Sequence, residues 1–279
     1  MISILLATLV NRYVILLLLP GDPINGWSVR RRTHLNGNMH KIDDNLAKVT
    51  ARIIDAAQLA NRSPEDVHLV AVSKTQPAPA LECAYQQGQR RFGENYVQEA
   101  LDKKASLAHL TQIEWHFIGP IQSNKTRAIA ENFDWVHTID REKVAQRLSA
   151  QRPSDLPPLQ VCVQVNVDEE ETKAGVRLKD LPALAAQVMT LPNLQLRGLM
   201  AIPAPSEDKH QQLASFNRLR EALIQLQQKG MAQLDTLSMG MSADLESAIA
   251  CGATLVRVGS DIFGARDATA KAVSASTPE

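Results

Sequence analysis

Cysteine is scarce in this chain of 279 residues: Cys83, Cys162 and Cys251 are odd in number, lie far apart and form no CxxC pair. That argues against a disulfide framework and a cysteine-based zinc site, and it suits a reducing cytoplasm. Cys162 sits in an apolar run and reads as a small core residue. An excess of one charge is missing too, since 30 basic side chains are matched by 30 acidic ones. Nucleic acid and anionic membranes both call for a basic excess, so neither is the expected partner. No GxGxxG comes after the first strand-like run, which argues against a dinucleotide-binding open sheet. Low-complexity segments and fixed-period repeats do not stand out either.

The first 38 residues differ from the rest of the chain. Residues 2–19 are strongly apolar but carry Asn11 and Arg12 in their middle, and Pro20, Gly21, Pro23 and the trio Arg30-Arg31-Arg32 come after. A signal peptide would need a positive leading region and a small-residue cleavage site. A membrane anchor would bear roughly 2.5–3.5 kcal/mol for the mid-span arginine. The third reading, taken here, is that translation starts at Met39 and that residues 1–38 are an extension outside the fold.

From Met39 onward apolar runs alternate with helical patterns. An opening helix over residues 42–60 carries the stripe Leu46, Val49, Ile53, Ile54 and Ala57. Strands are expected at 69–73, 91–93, 114–118, 135–138, 159–167, 196–201, 236–239 and 255–258. Helices are expected between them at 78–87, 96–107, 125–132, 141–150, 181–190, 211–229 and 243–251. Such alternation implies a parallel sheet with crossover helices, and eight repeats predict one closed α/β barrel of the (β/α)8, TIM-like class over residues 39–267. Residues 268–279 form a small, polar tail. No long heptad pattern or dimerisation arm stands out, so a monomer is expected.

In such a barrel the site lies at the C-terminal ends of the strands, and phosphate is often held by the loops after the last two. Lys74 closes the apolar run 67–74. Burial there lowers a lysine's pKa and makes an amine able to condense with a carbonyl group; the alternative is a strand-end lysine that snorkels to solvent. Ser238-Met239-Gly240-Met241-Ser242 and Arg257-Val258-Gly259-Ser260 lie at the ends of the last two strands. Read together they are two halves of a phosphate cradle, with free N–H groups at helix starts; read singly each is an ordinary N-cap. Asp244 and Glu246 count against the cradle, because carboxylates compete for the same positive helix end. An amine beside a phosphate cradle points to pyridoxal 5′-phosphate (PLP).

These residues resemble the pyridoxal phosphate homeostasis protein family of alanine-racemase-like barrels, over about residues 39–267. The likeness rests on Val72-Ser73-Lys74-Thr75, the run from Phe92 through Asn95 to Glu99, the run from Trp115 through His116 and Gly119 to Lys125, Ser238 to Asp244, and Arg257-Val258-Gly259. The resemblance implies a barrel resembling the N-terminal domain of alanine racemase, with PLP as a Schiff base on Lys74 and Asn95 beside the ring. It implies that Met241, Ser242, Gly259 and Ser260 hold the phosphate and that Arg257 meets the pyridine nitrogen. A guanidinium only donates, so the ring nitrogen would stay unprotonated and the ring a poorer electron sink. Gln76 departs from the pattern: many relatives carry a second lysine there, whose charge would help depress the pKa of Lys74. Lys173, after the fifth strand, matches another family lysine that can reach the barrel mouth; the alternative is a solvated lysine paired with the acidic run 168–171.

A racemase needs a second acid/base group opposite the lysine. In alanine racemases a tyrosine from a second, C-terminal domain supplies it, and this chain has a short polar tail there. Of Tyr13, Tyr85 and Tyr96 only Tyr96 lies near a strand end, and His116 is a better placed substitute at the mouth. The expected function is therefore a PLP-binding protein that stores, buffers or delivers the cofactor, with PLP-dependent apoenzymes as recipients, rather than an efficient enzyme. The alternative is a weak amino-acid racemase or lyase.

Overall fold

The structure, a computed structural model, describes residues 27–264, with side chains from Lys41 onward. Residues 1–26 and 265–279, which hold most of the expected extension and the tail, lie outside the described residues. By its contacts the chain divides into Met1–Gly37 and Asn38–Glu279, and the barrel belongs to the second. The opening helix α1 spans Trp27–Leu59 and so begins well before residue 42. No proline lies between those ends to stop it; of the expected stripe Leu46, Val49, Ile53 and Ala57 are buried and Ile54 is 38% exposed.

Nine parallel strands come next: β1 (His68–Val72), β2 (Arg91–Glu94), β3 (Glu114–Phe117), β4 (Trp135–Ile139), β5 (Leu159–Asn166), β6 (Val176–Arg177), β7 (Leu194–Met200), β8 (Thr236–Ser238) and β9 (Leu255–Val258). Their order is β4-β3-β2-β1-β9-β8-β7-β5-β6, and a further β4–β5 pairing closes eight of them into a ring. The expected (β/α)8 barrel is borne out. Only β6 is unforeseen; it adds two residues beside β5, with Val165 opposite Val176, too short a run to leave a pattern. The helices α2 (Ala78–Gln86), α3 (Val97–Ser106), α4 (Thr126–Asn132), α5 (Glu142–Gln151), α6 (Leu181–Met189), α7 (Lys209–Gln228) and α8 (Leu245–Ala250) make the crossovers, and α9 (Ser260–Phe263) comes after the last strand.

Parallel ring strands are covered on both sides, which is why they read as nearly continuous apolar runs. The alternation of side chains divides the core in two. Ala71, Phe92, Phe117, Val136, Val161, Leu237 and Val256 belong to the large cluster shared with the helices. Val70, Trp135, Cys162, Met200 and Leu255 form a separate cluster from five different strands, the apolar filling inside the ring. Cys162 is thus the small core residue expected. By the same alternation, Arg91, Glu114, His116, His137, Ser238 and Arg257 point inward too.

A candidate cofactor site at the C-terminal ends of the strands

Lys74 lies two residues beyond the end of β1 and is half-buried, after the buried Ser73. The next residue, Thr75, has φ 65°, a left-handed conformation that costs a β-branched residue about 1–3 kcal/mol. Polar groups from β2 and α3 hold this turn in place. The Thr75 amide donates to Glu99 Oε1 (2.5 Å), and Ser73 Oγ donates to Glu94 Oε1 (2.6 Å). Lys103 Nζ donates to Ser73 O (2.7 Å), Glu94 Oε1 (2.7 Å) and Glu99 Oε1 (2.6 Å), so all its ammonium protons are used. Burial pushes the Glu94 carboxyl above the usual range, against the opposing pull of Lys103. Sequence reasoning missed Lys103. Its one available signal was the Glu99–Lys103 spacing along α3, which more often marks a surface pair.

The two loops expected to form the cradle lie together beside this turn. In the β1–β9 ladder Ala71 lies opposite Val258, so Gly259 and Ser260 leave β9 alongside the Val72–Lys74 segment. A Cβ on Gly259 would come 3.0 Å from Val72 O, which explains glycine there. Ser242 Oγ and Ser260 Oγ are 3.2 Å apart, joining the loops after β8 and β9. The amides of Ser260 and Asp261 precede the first turn bond of α9, from Ile262 N to Gly259 O. Met241 is exposed and its amide donates to Asp244 Oδ1 (2.6 Å), so that carboxylate takes up one amide of the loop.

Arg52, on α1, ties both halves of the cradle to the N-terminal helix. It donates to Ser242 O (2.9 Å), to Glu246 Oε1 (2.8 Å) and to Asp261 Oδ2 (2.7 Å). No local pattern announces a residue whose partners lie at the other end of the chain. Gly240 is the turn that aims the first half: its φ is 93°, and a Cβ would meet Ala248 Cβ at 2.5 Å. Gly240→Ala is expected to cost about 1–3 kcal/mol from left-handed strain and overpacking against α8, read as a lower urea midpoint.

Asn95 lies just past β2 at the same end of the ring. Its carbonyl lies so close to Gly119 that a Cβ there would come within 2.3 Å of it. Asn95 Oδ1 and Asn166 Oδ1 are buried with no hydrogen-bond partner among the described residues. Lys173 Nζ is buried as well; it lies 3.2 Å from Glu170 Oε1 but without hydrogen-bond geometry. The expected pairing with the acidic run is present, and the expected solvation of the ammonium is not. Arg257 is buried within the ring, where Nη1 donates to Ser238 Oγ (2.5 Å) and Nη2 to Ala201 O (2.9 Å). Burial lowers its pKa to about 10, which keeps it a cation at neutral pH.

His116 does not stand at the mouth as expected. It is the third residue of β3, fully buried inside the ring, with its imidazole stacked on Trp135 at 5.5 Å. Among the described residues no group of His, Cys, Asp and Glu is arranged to hold a metal ion, and no helix is long and apolar enough to cross a membrane. The apolar run 2–19 lies outside those residues.

The arrangement suits a small phosphorylated carbonyl compound: an amine, hydroxyls and free amides beside it, and buried polar atoms awaiting partners at the same end of the ring. Comparison with known proteins agrees. Residues 45–267 match the family described as alanine racemase, N-terminal domain. The chain is 61% identical over 229 residues to the pyridoxal phosphate homeostasis protein of Pseudomonas aeruginosa, covering 82% of this chain and 97% of that one. To the protein of that name in Escherichia coli it is 52% identical over 235 residues, covering 84% and 100%. Among solved structures, PipY of Synechococcus elongatus with PLP bound is similar at a TM-score of 0.69 and 39% identity, covering 80% of this chain and all of that one. The alanine racemase of Corynebacterium glutamicum shares the fold alone, with a TM-score of 0.60 at 17% identity over 82% of this chain and 62% of that one. The chain belongs to the pyridoxal phosphate homeostasis protein family, built on the alanine racemase N-terminal barrel.

Proposed function

We propose that this protein binds pyridoxal 5′-phosphate through Lys74 and stores, buffers or delivers it in the cytoplasm, without efficient catalysis of its own. The observation that carries the reading is the convergence of Lys74 with Gly259, Ser260 and Ser242, set by the β1–β9 register and the 3.2 Å contact between the two hydroxyls. Bound there, the cofactor would supply an electrophilic aldehyde, and Lys74 is the amine that would hold it. Ser242, Ser260 and the amides after Gly259 hold the phosphate, with Met241 framing the loop. Asn95 meets the ring's polar edge, and Arg257 offers Nε, outside both of its own hydrogen bonds, to the ring nitrogen. The names of the bacterial relatives and the PLP-bound PipY structure support the choice of ligand.

The side chains that could serve as a second acid/base group are engaged elsewhere or face solvent. Both ring nitrogens of His116 and of His137 are already bonded inside the ring. Tyr85 sits on α2 beneath the guanidinium of Arg90. Tyr96 is 58% exposed at the start of α3. With the imidazoles engaged, Tyr85 stacked on Arg90 and Tyr96 turned to solvent, none of them is taken as the second acid/base group a racemase needs. The recipients proposed are PLP-dependent apoenzymes, and the protein acts as a monomer.

The test is an absorbance spectrum of the purified protein before and after borohydride, with peptide mapping of the reduced product. A band near roughly 420 nm that reduction fixes onto Lys74 is expected. Lys74→Ala should lose the band and keep the fold; a band that persists in that variant defeats the site. Turnover of D- or L-amino acids by the wild type, absent from Lys74→Ala, would replace the carrier by an enzyme.

A further inference from the structure

The polar side chains inside the ring form one directed line. Arg257 can only donate, so Ser238 Oγ accepts from it at 2.5 Å and spends its own proton on His137 Nδ1 at 2.7 Å. That bond makes His137 the Nε2–H tautomer, which donates to His116 Nδ1 at 2.9 Å. His116 in turn carries its proton on Nε2 and donates to Glu114 Oε1 at 2.7 Å. Every donor points the same way, from a buried cation near the strands' C-terminal ends to a carboxylate at their N-terminal ends. There Arg91 Nε lies 3.2 Å from the same oxygen, and Glu114 is 36% exposed.

We infer that Glu114, at the barrel end opposite the cofactor site, is a positioning residue for Arg257, acting through His116, His137 and Ser238. The inference rests on the PLP reading for its consequence, because Arg257 is the group offered to the ring nitrogen. A carboxylate only accepts, so it fixes the tautomer of His116, which fixes that of His137, which turns the Ser238 hydroxyl away from Arg257 and leaves its lone pair for the guanidinium. Aligned in this way each bond strengthens the next. Without the carboxylate only Arg257 holds the direction of the line, and a donor in place of Glu114 would press both imidazoles toward the Nδ1–H tautomer and the Ser238 proton toward Arg257.

Apart from Arg257 and Glu114 at its two ends, the line has no other anchor for these tautomers among the described residues. His116 also feels Arg91 and Asp134, and His137 feels Arg257. Trp135 stacks on His116 without bonding either ring nitrogen, and Arg197, paired with Asp235, lies over the Trp135 ring.

The experiment uses the full chain labelled with 15N-histidine, first free of cofactor and then titrated with PLP. In the cofactor-free wild type at pH 7.5, NMR should show His116 and His137 both as the neutral Nε2–H tautomer; any other state of either ring overturns the inference without a variant being made. Glu114→Gln, which can donate as well as accept, should give mixed tautomers at both rings. It should bind PLP about tenfold more weakly, the factor expected for one weakened hydrogen bond to a charge, with a shifted absorbance of the lysine-bound cofactor. Mixed tautomers with unchanged PLP affinity and spectrum would leave a buried polar line of purely structural value and overturn the positioning role. A wild type that takes up no PLP would instead sink the cofactor reading, while the tautomers in the free protein still report on the line itself.

Discussion

Lys103→Met is expected to destabilise the barrel by about 3–5 kcal/mol, the cost of removing one partner from a buried ion pair. The ammonium is 6% exposed and Glu94 is fully buried, and Glu94 Oε2 already lacks a hydrogen-bond partner among the described residues. Loss of Lys103 would leave Ser73 Oγ as the only donor to the carboxylate. Glu94 would then take up a proton, so the deficit should shrink as the pH is lowered toward 5. The double variant Lys103→Met, Glu94→Gln should recover much of the loss, because the amide keeps the Ser73 bond and carries no charge. Urea denaturation of the four proteins forms the cycle that checks this. Additive losses would show that the pair does not act as a unit. The same cut removes the bond to Ser73 O, and the partner that steadies Glu99 under Thr75, so the turn presenting Lys74 should loosen in the surviving protein.

The second large effect is acid sensitivity above the range where carboxylates titrate. Burial holds the histidine inside β4, His137, well below its ordinary 6.5, and the charges of His116 and Arg257 push the same way. His116 is also lowered, chiefly by burial, although Glu114 opposes this. Burial alone would raise Glu114, but the hydrogen bond and charge of His116, with Arg91, bring it below the usual range and keep it anionic. In the unfolded chain both imidazoles protonate near 6.5, so the unfolded state binds more protons once the pH falls below that value. Stability from these two groups is therefore complete above about pH 6.5. It is lost as the pH drops toward their folded values, at a slope approaching 1.4 kcal/mol per pH unit for each. Urea midpoints between pH 7.5 and 5 should fall accordingly, and His137→Gln should flatten the curve. A flat wild-type profile over that range would mean that the rings are protonated in the fold.

The parts of this molecule that were legible in the sequence share a physical reason. Eight ring strands are covered on both sides, so each is a short apolar run, and the strand from residue 255 to 258 has the bounds expected. Lys74, Gly259 and Ser242 lie just past such runs, and their place at one end of the barrel is a consequence of its closure. The polar groups that steady them were not legible. Arg52 and Lys103 look like solvated helix residues until tertiary contact gives them partners. The inner line depends on which side of each pleat faces inward. His116 shows the limit best: it is expected at the mouth although it falls within the strand expected at 114–118, and the alternation of side chains along β3 turns the imidazole into the ring.

The reach of Arg52 also orders events during synthesis. Its partners Ser242, Glu246 and Asp261 and the last strand beside β1 are among the final described parts to leave the ribosome. A chain still being translated carries Lys74 early but has no last strand against it and no cradle near it. On the proposed assignment of the site, cofactor capture would thus belong to the chain once its last strand is in place, and products truncated before it should not bind the aldehyde.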